Sequence, residues 1–111
     1  MSLNKWAVEF LPEAAEDLKR LDGSVRRIVE KAISKVSMNP LSGEEGGYGK
    51  PLGNKDGTDL TGLMKVKLKA SGHRIVYQVV REKSVMKIII IGVREDSKVY
   101  KEADKRWKRI K

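Results

Sequence analysis

No cysteine occurs in the 111 residues, and there is a single histidine, His73. Disulfides, Cys-ligated zinc and thiol catalysis are therefore excluded, and one imidazole cannot anchor a His-rich metal site. Long apolar runs are missing too. No stretch approaches the roughly 20 residues of a membrane-spanning helix, and Met1 to Trp6 lacks the apolar core of a signal peptide. The expectation is a cytoplasmic protein with no membrane association, no cofactor and no metal. Any chemistry must come from Lys, Arg, Tyr, Asp, Glu or Ser.

Acidic residues are scarce in one half only. Lys and Arg number 24 against 15 Asp and Glu, a formal net charge of +9. Residues 1–50 hold eight basic and eight acidic side chains, whereas residues 51–111 hold sixteen basic and seven acidic. A small domain with one basic half suggests a polyanion, most often nucleic acid, bound through phosphate contacts and counterion release. General solubility or an anionic membrane surface is the plainer alternative.

The charge concentrates around Met64-Lys-Val-Lys-Leu-Lys-Ala-Ser-Gly-His-Arg-Ile-Val-Tyr-Gln78. Apolar Met64, Val66 and Leu68 alternate with Lys65, Lys67 and Lys69, the period of a strand with one face buried. Ser71-Gly72 offers a turn, and Arg74 to Val80 reads as the returning strand. Three ammonium groups then project in one row with Arg74 just beyond the turn. Such a row repels itself and calls for an anion. Lysines that merely protect an exposed strand are the competing reading.

Around this hairpin the chain has a simple order. Trp6, Val8 and Phe10 alternate with Lys5, Ala7 and Glu9 as a first strand. Pro12 suits the first turn of a helix carrying Leu11, Ala14, Ala15, Leu18 and Leu21 on one stripe. Asp22-Gly23 breaks it, and Ser24 is expected to cap a second helix with Val25, Ile28, Val29, Ala32, Ile33 and Val36 as its apolar face. Met38-Asn39-Pro40 ends that helix. Leu41 to Thr61 holds six of the ten glycines and shows no period, so it reads as a long loop. Near-continuous apolarity from Val85 to Val93 marks a central strand covered on both faces. Val99, Ala103, Trp107 and Ile110 space a short final helix with a basic outer face. A single domain, 1–111, of α+β class follows: a helix hairpin on a small antiparallel sheet in the order β-α-α-β-β-β-α. Tyr77, Trp6 and Trp107 are assigned to the core.

Catalysis by Lys and Arg points to phosphate chemistry. Arginine matches phosphate oxygens with paired donors, and neighbouring cations make a lysine easier to deprotonate. RNA suits such a cluster because its 2′-OH is a built-in nucleophile. The runs Lys65 to Gln78 and Ile91-Gly-Val-Arg-Glu-Asp-Ser-Lys-Val-Tyr100-Lys-Glu-Ala-Asp-Lys-Arg106 closely resemble the RelE toxins of type II toxin–antitoxin systems. The Trp6–Phe10 strand, the helix pair, Asn39-Pro40 and Lys50-Pro-Leu52 fit the wider RelE/ParE superfamily.

The resemblance implies a ribosome-dependent, metal-independent mRNA endoribonuclease that cuts in the A site and leaves a 2′,3′-cyclic phosphate. It implies a cognate antitoxin as partner, together with the ribosome and mRNA. By position, Lys65 and Lys67 resemble the pair that assists 2′-OH deprotonation, and Arg74 the phosphate-binding arginine. Arg94 resembles the one that stabilises the transition state, and Tyr100 the tyrosine that orients the nucleotide. Which group is the formal base stays open between a neutral Lys and Tyr100. His73 replaces a tyrosine of well-known relatives and is a candidate base stacker. Lys69 and the basic C-terminus (Lys105, Arg106, Lys108, Arg109 and Lys111) are candidate RNA contacts. A ParE-like inhibitor of DNA gyrase, a non-catalytic RNA-binding module, and a RelE fold silenced by its 41–61 loop are the alternatives.

Overall fold

The computed structural model describes residues 6–55, 58–93 and 98–110. Strand β1 (Ala7–Phe10) leads into helices α1 (Pro12–Lys19) and α2 (Gly23–Val36). Pro12 stands in the first turn of α1, where its missing N–H costs nothing. The cap of α2 is Asp22 rather than the expected Ser24: its carboxylate accepts from Val25 N–H at 3.1 Å, and Ser24 Oγ donates to it at 2.9 Å. Val29, Ile33 and Val36 of the anticipated stripe are buried, whereas Ile28 is exposed.

The segment expected as a structureless loop is built around two buried leucines, Leu52 and Leu60. It forms a short 3-10 turn at Gly43–Glu45 and strands β2 (Lys50–Pro51), β3 (Asn54–Lys55) and β4 (Thr58–Asp59). Two-residue strands leave no period to read, which is why the pattern did not show them. Strands β5 (Leu63–Leu68), β6 (His73–Val80) and β7 (Val85–Val93) follow as a meander, and helix α3 (Lys98–Ile110) closes the chain.

The five-stranded sheet runs β1-β7-β6-β5-β2. It is mixed, not wholly antiparallel: β1 lies parallel to β7, a pairing that needs a long connection, and everything from α1 to β6 lies between the two strands. Directly paired residues share a face, so the register sorts the side chains. One face carries Phe10, Ile75, Tyr77, Ile88 and Ile91. Helices α1 and α2 cover it, with Val8, Phe10, Leu18 and Ile33 lining a common groove. The Tyr77 hydroxyl donates to Pro40 C=O at 2.7 Å beneath α2, and burial pushes its pKa upward. The other face carries Lys65, Lys67, Arg74, Val76, Ile90 and Gly92, and α3 lies on it. The apolar β7 is therefore covered on both sides, as its composition required.

Strand β1 pairs with β7 only from Val85 to Ile88, and Leu11 N–H closes the ladder at Ile88 C=O. Beyond that point no strand among the described residues pairs with this edge of β7. Side chains stand in for one. Asp17 of α1 accepts from Ile91 N–H at 3.1 Å, while Arg106 of α3 donates to Ile89 C=O at 2.9 Å and to Asp17 at 2.8 Å. Arg106 is 7% exposed and also bonds Glu102 at 3.1 Å. Burial disfavours its charge, but Asp17 and Glu102 outweigh that and hold its pKa above the ordinary value.

Removing one partner of a buried pair costs far more than the pair's net worth. Asp17→Ala should lower stability by about 3 kcal/mol in urea titration, since it removes the more buried of the two carboxylates of Arg106 and leaves the Ile91 N–H unpaired. Changing Asp17 and Arg106 together to apolar residues should not restore it, because both backbone groups of β7 then lose their partners. Where α3 crosses β7, a Cβ on Gly92 would stand 3.2 Å from Val99 Cγ2. Gly92→Val should therefore lift α3 and cost about 1–3 kcal/mol by the same measurement.

Candidate functional site

The alternation of β5 sends Lys65 and Lys67 to the α3 face, two residues and about 6.5–7 Å apart along the strand. β6 adds Arg74 directly opposite Lys67, and β7 places Gly92 opposite Arg74. A glycine there leaves the sheet face low beside the guanidinium and admits Val99 at the start of α3.

Lys65 and Lys67 differ in environment despite sharing a face. Lys67 is exposed, whereas Lys65 is only 6% exposed. Its ammonium lies 3.4 Å from the Tyr100 hydroxyl and 5.6 Å from that ring's centroid. Tyr100 is itself buried, held in the first turn of α3 next to Val99. A lysine nitrogen and a phenol oxygen within hydrogen-bond reach form a unit along which a proton can pass. Arg74 is half-buried, and its Nε is buried without a hydrogen-bond partner among the described residues. A desolvated guanidinium nitrogen is poised to gain from an acceptor such as a phosphate oxygen.

The fold brings Lys65, Lys67, Arg74 and Tyr100 to one side of the sheet, from three separate elements. Arg94, together with Lys111, lies outside the described residues; the former follows Val93, the last residue of β7.

The expected RNA contacts divide. Lys69 is exposed just past the end of β5, and Lys105 is exposed on α3. Lys108 and Arg109 are exposed yet engaged, with Asp104 at 3.1 Å and with Glu13. Two expectations are corrected. His73 pairs in register with Leu68 and Val93, so parity places it on the face opposite Arg74. It is buried there with Nδ1 3.2 Å from Ser71 C=O, out of reach of a base lying on the lysines. Arg106 is no RNA contact either, since its guanidinium is spent inside the fold on Asp17, Glu102 and Ile89. The signal for it was available: Arg106 falls seven residues after Val99 and three after Ala103, within the apolar stripe of α3. Asp17 gave no comparable sign, because its partners are distant in sequence.

Comparison with known proteins identifies the family and the fold. The family model for the ParE toxin of the type II toxin–antitoxin system parDE matches residues 8–100. The mRNA interferase toxin RelE of Escherichia coli K12 is 34% identical over 99 residues, covering 89% of this chain and 94% of that protein. A mutant of E. coli RelE in the free state superposes with a TM-score of 0.72 at 31% identity, over 92% of this chain and 97% of that one. A RelE mutant bound to a peptide of the antitoxin RelB gives a TM-score of 0.66 at 30% identity, over 89% and 94% of the two chains. With family model, sequence and fold in agreement over nearly the whole length, this chain belongs to the ParE toxin family of type II toxin–antitoxin systems, as a RelE-type toxin.

Proposed function

We propose that the protein cleaves mRNA in the ribosomal A site. The 2′-OH of the A-site nucleotide attacks its own 3′-phosphate, its proton passing to the enzyme. The 5′-oxygen of the next nucleotide leaves with a proton, and a 2′,3′-cyclic phosphate remains. The observation that carries this reading is the Lys65–Tyr100 contact beside the Lys67–Arg74 pair. It supplies a proton-transfer unit and two flanking cations within one patch of sheet.

In this scheme Arg74 holds the scissile phosphate, and Lys67 offsets the charge that builds on the pentacoordinate phosphorus. Lys65 and Tyr100 share the deprotonation of the 2′-OH. Arg94 adds charge stabilisation at the leaving group, a role that rests on its resemblance to the RelE arginine. Lys69 and Lys105 contribute longer-range attraction to RNA. Outside the reaction, the protein is held silent by an antitoxin encoded with it, as the complex of RelE with its antitoxin peptide suggests.

Lys65→Ala with Lys67→Ala, and separately Arg94→Ala, should each reduce cleavage of mRNA on programmed ribosomes by about 100-fold or more. Circular dichroism and melting should stay close to the parent, and growth arrest on induction should disappear. Full toxicity in a folded triple variant would end this reading. The ParE description of the matching family model favours one alternative, inhibition of DNA gyrase by binding. Gyrase-linked DNA breaks with intact mRNA would select it.

A further inference from the structure

We infer that Lys50 is an additional RNA-contacting residue, which binds the mRNA phosphate next to the scissile one. The inference rests on the cleavage reading and extends its site by one strand. Register carries it: Lys50 of β2 pairs directly with Lys65, and Pro51 pairs with Met64. Paired residues share a face, so Lys50 projects on the side that bears Lys65, Lys67 and Arg74, about 4.8 Å further across the sheet. The strand is firmly tied. Leu52 N–H donates to Leu63 C=O at 2.9 Å, Leu60 N–H donates to Gly53 C=O at 3.0 Å, and both leucines are buried.

Like charges directly opposite one another destabilise a strand pair, so placing Lys50 against Lys65 is unfavourable unless an anion joins them. The two lysines are also unequal. Lys65 is withdrawn toward Tyr100, whereas Lys50 is exposed. Lys50 can therefore meet a phosphate that Lys65 does not reach. The chain thus presents two rows of cations, Lys50–Lys65 and Lys67–Arg74, and a strand of RNA crossing both meets more than one phosphate-binding position.

The plain alternative is edge protection, since Lys and Pro on an outer strand both discourage sheet-to-sheet pairing. Charge reversal separates the two, because Glu guards an edge as well as Lys does. On programmed ribosomes Lys50→Ala should raise KM about 3–10-fold with kcat nearly unchanged, and should lower the salt dependence of binding by about one phosphate contact. Lys50→Glu should be worse even though it relieves the like-charge pairing with Lys65, and Lys50→Arg close to the parent, with none of the three melting below the parent. Replacing the neighbouring mRNA phosphate by a neutral methylphosphonate should erase the difference between parent and Lys50→Ala. Persistence of that difference would place the contact on ribosomal RNA and overturn the assignment. Unchanged KM and salt slope in Lys50→Glu, with the parent cutting normally, overturns the inference alone. A parent that cuts no mRNA overturns the cleavage reading with it.

Discussion

The edge of β7 beyond Ile88 governs how this molecule is put together. A strand edge buried under helices cannot leave its N–H and C=O groups unpaired, because each would cost the full desolvation of a polar group. The parallel strand β1 stops too soon to satisfy them. Asp17 and Arg106 complete the ladder in its place and bond each other as they do so. One ion pair therefore ties α1, β7 and α3 together. An apolar pair of the same size could fill the space but not the hydrogen bonds, which is a physical reason for burying charge here despite its desolvation cost.

That tie has a consequence at the opposite end of α3. With Arg106 pinned at the edge of β7 and Val99 seated over Gly92, the first turn of the helix is set above the lysine face. Tyr100 reaches Lys65 from that turn. The sheet supplies cations at spacings fixed by its pleat, and the helix supplies the phenol. A site assembled on strands and a packed helix turn is held more rigidly than one built on loops.

Much of this was legible in the chain. Alternation announced β1 and β5, the Ser71-Gly72 turn announced β6 as the returning strand, continuous apolarity announced β7 as central, and helical spacing gave α1, α2 and α3 nearly to their ends. Parity alone put Lys65 and Lys67 together and moved Tyr77 into the core, where it is fully buried. Register was not legible, so neither Arg74 opposite Lys67 nor Lys50 opposite Lys65 could be read. His73 is misplaced for another reason: the pattern reads the returning strand from Arg74, whereas it begins at His73, and parity then turns His73 to the face opposite Arg74. Residues that act across long sequence distances were hidden as well. Asp17 reads as an ordinary acidic residue of a helix until the fold brings it within 2.8 Å of Arg106, whose place in the apolar stripe of α3 was the one legible half of the pair.

The central claim is that this basic sheet face cuts mRNA rather than only binding a polyanion. Mapping the 5′ ends of cellular mRNA after brief induction tests it most directly. The account predicts new 5′-hydroxyl ends inside translated reading frames, in register with codons, and none with a folded protein lacking Lys65 and Lys67. Intact mRNA during a full growth arrest would contradict it.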